Sequence, residues 1–195
     1  MALVFYNTLG RKKEAFTPIT EGKAGLYTCG PTIYNYAHIG NFRAYMFEDL
    51  LKRYLLFKGY EVRHIMNLTD VEDKLIRTCK ETGKPLSEIT RYYADAFFKD
   101  IKTLDILPAD VYPAATEHIH EVVEMIKTLR DRGHTYEEQG SIYFRLSTFD
   151  EYGALSGINL DELQAGASGR VQADEYDAEE ARDFALWKAW DEEDG

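Results

Sequence analysis

The sequence predicts an α/β fold built on a parallel sheet, and three observations lead there. Leu26–Cys29 (LYTC) is a short β-prone run bracketed by Gly25 and Gly30. From His38, Phe42, Tyr45, Met46, Leu50, Leu51, Tyr54 and Leu55 follow helical spacing. Glu48, Asp49, Lys52 and Arg53 lie between them, and Gly59 stops this amphipathic helix. Val62–Leu68 then alternates, with Val62, His64 and Met66 set against Arg63, Ile65 and Asn67. Strand, helix and strand in that order make a βαβ unit, with parallel strands and a right-handed crossover.

The later elements are mostly helical. Val71–Thr82 predicts a helix ending at Gly83. Pro85 and Ser87 open another through Ile89, Tyr93, Phe97, Ile101 and Leu104, which stops before Pro108. Thr116 is a candidate cap for a helix carrying Ile119, Val122, Val123, Ile126 and Leu129, closed by Gly133. Thr135-Tyr136 and Ile142–Phe144 flank the polar turn Glu138-Gln139-Gly140, which predicts a β-hairpin. Leu155–Gln164 reads as a turn and a short helix, and Ala165–Gly169 as a loop. Sequence texture changes near Asp110, so the predicted division is 1–110 and 111–195.

Composition narrows the class. The 195 residues are 45% apolar and 13% aromatic, which supplies a core and excludes a disordered chain. Cys29 and Cys79 are too few for a disulfide scaffold and suit a reducing compartment. The uncharged stretch Ala24–Phe42 is broken by Gly25, Gly30 and Pro31, so no membrane helix is predicted. Met1–Gly10 has no basic segment leading an apolar one, so no secretory leader is predicted and a cytoplasmic location is expected. The net charge of −11 is unevenly placed. Residues 171–195 hold ten acids against Arg182 and Lys188, a net −8, which leaves −3 on the first 170 residues. The acidic end reads as a solvated face or charged linker. No basic patch marks a nucleic-acid surface.

The stretch Thr28–Asn41 carries the chemistry. It lies between the first strand and the first long helix, where open α/β sheets bind ligands. A helix opening near His38 offers backbone N–H groups and a positive dipole end to an anion. Gly40 lets a flat group approach the backbone, and His38 and Asn41 can donate to phosphate oxygens as charge develops. These residues point to a nucleotide-phosphate site. Plainer readings stand beside that one. His38 could be a helix-capping or core histidine, and Cys29 a small buried residue at a strand end. By local spacing Cys29 has no paired metal ligand nearby. Tyr34 and Tyr36 read as packing groups, Cys79 as incidental, and His118 and His120 as pointing to different helix faces.

The run TCGPTIYNYAHIGNFRAY resembles the signature of cysteinyl-tRNA synthetases, class I aminoacyl-tRNA synthetases with a Rossmann-like catalytic domain. Asn67–Lys74 (NLTDVEDK), Leu160–Gly166 (LDELQAG) and Asp183–Lys188 (DFALWK) are similar to the same family, in its order and with its spacing. The resemblance covers essentially the whole chain. It implies the first half of the catalytic fold over 1–110 and the start of an inserted α+β connective region over 111–195.

What the resemblance implies can be placed residue by residue. His38-Ile39-Gly40-Asn41 matches the family's HIGH motif, which binds ATP and stabilises the transition state of amino-acid adenylation. Asn41 stands where the motif ends in histidine and keeps a side-chain donor. Cys29 matches the first ligand of a zinc ion that binds the thiolate of the substrate cysteine. Coordination by a soft donor then discriminates against serine. Gly30 and Thr69 match positions around that cysteine. The implied reaction is cysteine–tRNA ligation, with L-cysteine, ATP with magnesium and tRNA(Cys) as substrates.

The family's other zinc ligands (a Cys, a His and a Glu), its KMSKS loop and its anticodon-binding domain lie beyond the DFALWK segment, and this chain carries none of them. The resemblance therefore implies an amino-terminal portion that is inactive by itself, with the acid-rich end an interruption in mid-domain. Two other classes share these residues: a cysteine-activating ligase acting on an amino sugar, and a non-catalytic nucleotide-binding paralogue.

Overall fold

A computed structural model describes residues 2–157 and 183–190. The chain divides into two compact units, Thr17–Ile119 and Met1–Phe16 together with His120–Glu192.

Thr17–Ile119 holds the parallel sheet. β3 (Lys23–Thr28) and β4 (Glu61–Met66) pair in parallel from Lys23↔Glu61 to Thr28↔Met66. The long helix α1 (Ile39–Phe57) connects them, as the βαβ pattern predicts. Parallel bridging continues beyond the strands, from Thr32 to Thr69. Across the other edge of β4, Ile65 bridges Val111 and Leu68 bridges Ala114. The alternation read from the sequence is visible in burial: His64, Met66, Leu68 and Asp70 are buried in turn. β3 begins earlier than the LYTC run and ends at Thr28, so Cys29 lies just past the strand.

α1 packs differently from the expected stripe. Phe42, Tyr45, Lys52 and Leu55 are buried, while Met46, Leu50 and Tyr54 are 52%, 64% and 46% exposed. The apolar residues form two faces, and one of them lies outward. Lys52 sits in the buried row because its Nζ donates to the Pro108 carbonyl at 2.7 Å and lies 3.7 Å from Asp110 Oδ2. A buried ammonium needs such partners, and losing one leaves an uncompensated charge. Gly59 turns the chain out of α1 at φ 88°, a left-handed conformation that disfavours a side chain.

α2 (Asp73–Thr82) ends at Gly83 in the left-handed conformation, and α3 (Leu86–Thr103) opens after Pro85, both close to prediction. The core joins α1, α3 and the sheet: Phe42 and Tyr45, Phe97 and Ile101, and Met66 and Leu68. Ile106 and Ala109 from the following loop belong to the same cluster. Tyr45 meets Phe42 and Phe97 edge-to-face, with ring centroids 5.8 Å and 5.4 Å apart. Thr116 does not cap the next helix. It lies inside a 3₁₀ turn (Ala115–His118), where Asp70 accepts its backbone N–H at 2.9 Å and also its hydroxyl.

The other unit contains the hairpin β1 (Val4–Asn7) and β2 (Lys12–Ala15), which has no counterpart in the sequence reading. α4 (Ile119–Asp131) leads to the predicted hairpin of β5 (Thr135–Glu138) and β6 (Ser141–Phe144). Gln139 and Gly140 both take positive φ in its two-residue turn, which matches the twist of the strands. The DFALWK segment supplies a third antiparallel strand, β7 (Phe184–Trp187), beside β6. Asp183, counted with the solvated acids, is 7% exposed and accepts the Leu146 N–H at 2.8 Å. The rest of the acidic end (apart from 183–190), the Ala165–Gly169 loop and most of Leu155–Gln164 lie outside the described residues. Among the described residues, no helix is long and apolar enough to cross a membrane.

Candidate active site

The His38–Asn41 turn is a closed hydrogen-bonded unit. His38 is extended (φ −105°, ψ 173°) and caps α1: its Nδ1 accepts the Gly40 N–H at 3.1 Å. Asn41 Oδ1 reciprocates, accepting the His38 N–H at 3.0 Å. The Asn41 N–H goes to the His38 carbonyl at 2.9 Å. Two of the amides expected to be free for an anion are thus engaged by the turn itself. What the turn retains for a ligand is side-chain chemistry. With Nδ1 accepting, the His38 ring carries its proton on Nε2, and with Oδ1 accepting, Asn41 keeps its Nδ2 as a donor. The capping and phosphate readings of His38 are therefore compatible, one for each ring nitrogen.

Gly40 acquires a different reason. A Cβ there would stand 2.9 Å from His38 Cε1 and 3.0 Å from Nδ1, so the missing side chain makes room for the His38 ring itself.

His38 and Asn41 line a cavity of about 260 Å³ at the carboxyl end of the parallel strands, bounded by Pro31–Ala37 and by Tyr45. Tyr34 and Tyr36, expected to be packing groups, line it too, and Tyr36 is 55% exposed. The far elements add Glu72 and Lys74 after β4, and Tyr93 and Phe97 from α3. Sequence reasoning gave none of the four a site role, although Glu72 and Lys74 close the family-like Asn67–Lys74 segment. Glu72 and Lys74 carried a usable signal, since they follow the second parallel strand at its carboxyl end. Tyr93 and Phe97 carried none beyond helical spacing.

Gly30 and Thr69 are drawn together by the sheet. The Gly30 N–H donates to Asn67 Oδ1 at 3.2 Å, and Asn67 Nδ2 lies 3.4 Å from Thr69 Oγ1. Backbone bonds run from Ile33 N–H to Thr69 O at 3.0 Å and from Thr69 N–H to Pro31 O at 3.1 Å. Any Cβ on Gly30 would lie 1.9 Å from the Asn67 carbonyl oxygen.

Cys29 is exposed at the end of β3 and is not among the cavity-lining residues. Among the described residues, no group of three or more His, Cys, Asp and Glu gathers into a metal cluster. An accessible thiol can serve as one ligand of a soft metal, and the described residues do not complete a site around Cys29.

Thr28, His64 and Lys52 are polar residues buried around the parallel strands. Thr28 Oγ1 is 2.9 Å from His64 Nε2. Burial pushes Glu48 up from the ordinary carboxylate range, against the opposing pull of Thr28. Burial, with Lys52 nearby, holds the His64 imidazole below its usual value, against the opposing pull of Asp110 and Asp49. Asp110 is held low chiefly by the His64 backbone N–H, which it accepts at 2.6 Å. Tyr45 is pushed up to about 12 by burial first, then by Glu48 and Cys29.

Comparison with known proteins agrees with this layout. Residues 15–195 match the model of the tRNA synthetases class I (C) catalytic domain. The chain is 57% identical to a cysteine–tRNA ligase from Brachyspira hyodysenteriae, over 99% of this chain and 41% of that protein. It is 53% identical to the Protochlamydia amoebophila ligase over 98% of this chain and 40% of that one. The chain thus spans about two-fifths of the length of the curated relatives it matches. Among solved structures, LeuRS from Agrobacterium radiobacter K84, in a ternary complex with tRNA and LeuAMS, superposes with a TM-score of 0.54. That match has 20% identity and covers 65% of this chain and 17% of that one, which speaks for the fold. The parallel βαβ unit, the capped His38–Asn41 turn at its carboxyl end and the match over 15–195 lead to one conclusion: this chain belongs to the class I (C) tRNA synthetase catalytic-domain family.

Proposed function

We propose that this chain is the amino-terminal portion of a cysteine–tRNA ligase, with 1–110 forming the first half of its catalytic domain and 111–195 the start of a connective insertion. The observation that carries the reading is the His38–Asn41 cap. It presents two side-chain donors to a cavity at the mouth of a parallel sheet. In the first step a carboxylate oxygen of L-cysteine attacks the α-phosphorus of ATP, and pyrophosphate leaves with the electron pair of the broken P–O bond. In the second, a ribose hydroxyl at the end of tRNA(Cys) attacks the activated carbonyl and AMP leaves. The protein's task in the first step is positioning and neutralisation of phosphate charge. His38 Nε2–H and Asn41 Nδ2 are suited to donate to the α-phosphate oxygens as that charge develops. The cap holds both side chains in place beforehand, so little reorganisation is needed.

Gly30 and Thr69, joined through Asn67, form the wall for the substrate cysteine. Cys29 would hold a zinc ion jointly with donors outside this chain, and that ion supplies a soft site that prefers a thiolate to the hydroxyl of serine. Magnesium accompanies ATP as part of the substrate.

The test is cysteine-dependent ATP–pyrophosphate exchange, followed by charging of tRNA(Cys), with the full-length protein. Exchange with cysteine and not serine, with charging, is the expected result. Exchange without charging, or cysteine transfer to an amino sugar, would reassign the acceptor. No exchange with any amino acid would remove the ligase reading. Residues 1–195 alone are expected to give no exchange above a His38→Ala control.

A further inference from the structure

Lys74 is the one lysine or arginine lining the cavity among the described residues. It stands in the first turn of α2, where the helix dipole disfavours a positive charge. No carboxylate among the described residues pairs with it, and its Nζ lies 5.5 Å from the centroid of the Tyr34 ring. The ring face attracts the ammonium and limits its wandering without neutralising it. Glu72 lines the same cavity with a buried carboxylate oxygen that makes no hydrogen bond, but it forms no ion pair with Lys74. A lysine placed against the dipole, unpaired by that carboxylate and steadied by an aromatic wall is arranged for an anion from outside the protein.

We propose that Lys74 binds a phosphate oxygen of the substrate held in this cavity, as a positioning cation beside the neutral donors His38 and Asn41. This inference rests on the nucleotide reading of the cavity and adds to it a charge that the His38–Asn41 turn does not supply. A lysine suits the role because its ammonium acts as a point charge with three donors. The phosphate belongs either to the ATP polyphosphate or to the backbone near the acceptor end of the RNA. Both present the same oxygen chemistry, and kinetics separates them.

The experiment compares full-length wild type, Lys74→Ala and Lys74→Arg. ATP affinity is measured by calorimetric titration without amino acid, and the Michaelis constants for ATP, cysteine and tRNA are measured in exchange and charging. Loss of one charge-assisted hydrogen bond predicts about tenfold weaker binding in Lys74→Ala, with partial recovery in Lys74→Arg. A rise confined to ATP assigns the phosphate to the nucleotide. A rise confined to tRNA assigns it to the RNA. Unchanged constants for both overturn the inference. So does a proportional loss across ATP, cysteine and tRNA with a lowered melting temperature, which marks a structural lysine. If wild type shows no exchange with any amino acid, the ligase reading fails, and the ATP titration alone judges Lys74.

Discussion

Thr28 Oγ1 and His64 Nε2 lie 2.9 Å apart in the interior, joining the residue before Cys29 to the middle of β4. The other ring nitrogen of His64, Nδ1, is buried without a hydrogen-bond partner. Burial disfavours protonation of that ring, and a charged ring would add a second positive charge near Lys52, so the neutral form is favoured.

This arrangement predicts a pH dependence of stability. The folded His64 takes up its proton at lower pH than the unfolded chain, whose reference value is 6.5. Its contribution is fully present above that value and is lost as pH falls toward the folded one. Glu48, pushed upward, has the opposite slope at more acidic pH. The urea midpoint of the full-length protein should fall between about pH 7.5 and about pH 5.5, and less so in His64→Gln. An identical fall in both proteins would show that His64 is not the group responsible.

The double duty of His38 predicts a separation of effects. His38→Ala removes both the cap and the Nε2 donor, so it should cost about 1 kcal/mol of stability and slow adenylation by roughly 10². His38→Asn restores a capping oxygen without the imidazole. It should recover the melting temperature and leave exchange slow. Recovery of both would mean that His38 acts only as a cap.

Gly30 tests the close approach of β3 and β4 beyond their last paired residues. Gly30→Ala drives a Cβ against the Asn67 carbonyl oxygen, which is backbone and cannot swing aside. We expect a loss of about 1–3 kcal/mol by urea unfolding, together with a raised Michaelis constant for cysteine. A fully stable Gly30→Ala protein would contradict this packing.

Cys29→Ser should lower the zinc content of the full-length protein, measured by elemental analysis, and raise the Michaelis constant for cysteine, since a hydroxyl is a poor ligand for a soft site. Cys29 is exposed, so stability should hardly change. Full zinc occupancy with unaltered cysteine affinity would return Cys29 to an ordinary strand-end residue.

Local signals in the sequence determined the βαβ order, the ends of α1 and α2 at Gly59 and Gly83, the hairpin at Gln139-Gly140 and the HIGN turn. Each rests on short-range periodicity or on a backbone conformation that few residues tolerate, so each is written where it acts. What depended on distant partners could not be read that way. α1 buries Phe42 and Tyr45 against α3 and the sheet, Pro108 and Asp110 take up Lys52 on that same face, and Met46, Leu50 and Tyr54 were left outside. β7 is a strand because β6 offers it an edge, and Asp183 is buried because Leu146 presents an N–H there. Lys74 became part of the site because the parallel sheet delivers the segments after β3 and β4 to the same end. A lysine and a tyrosine forty residues apart then share one wall. Periodicity specifies which face of an element is apolar, and only packing decides which groups that face meets.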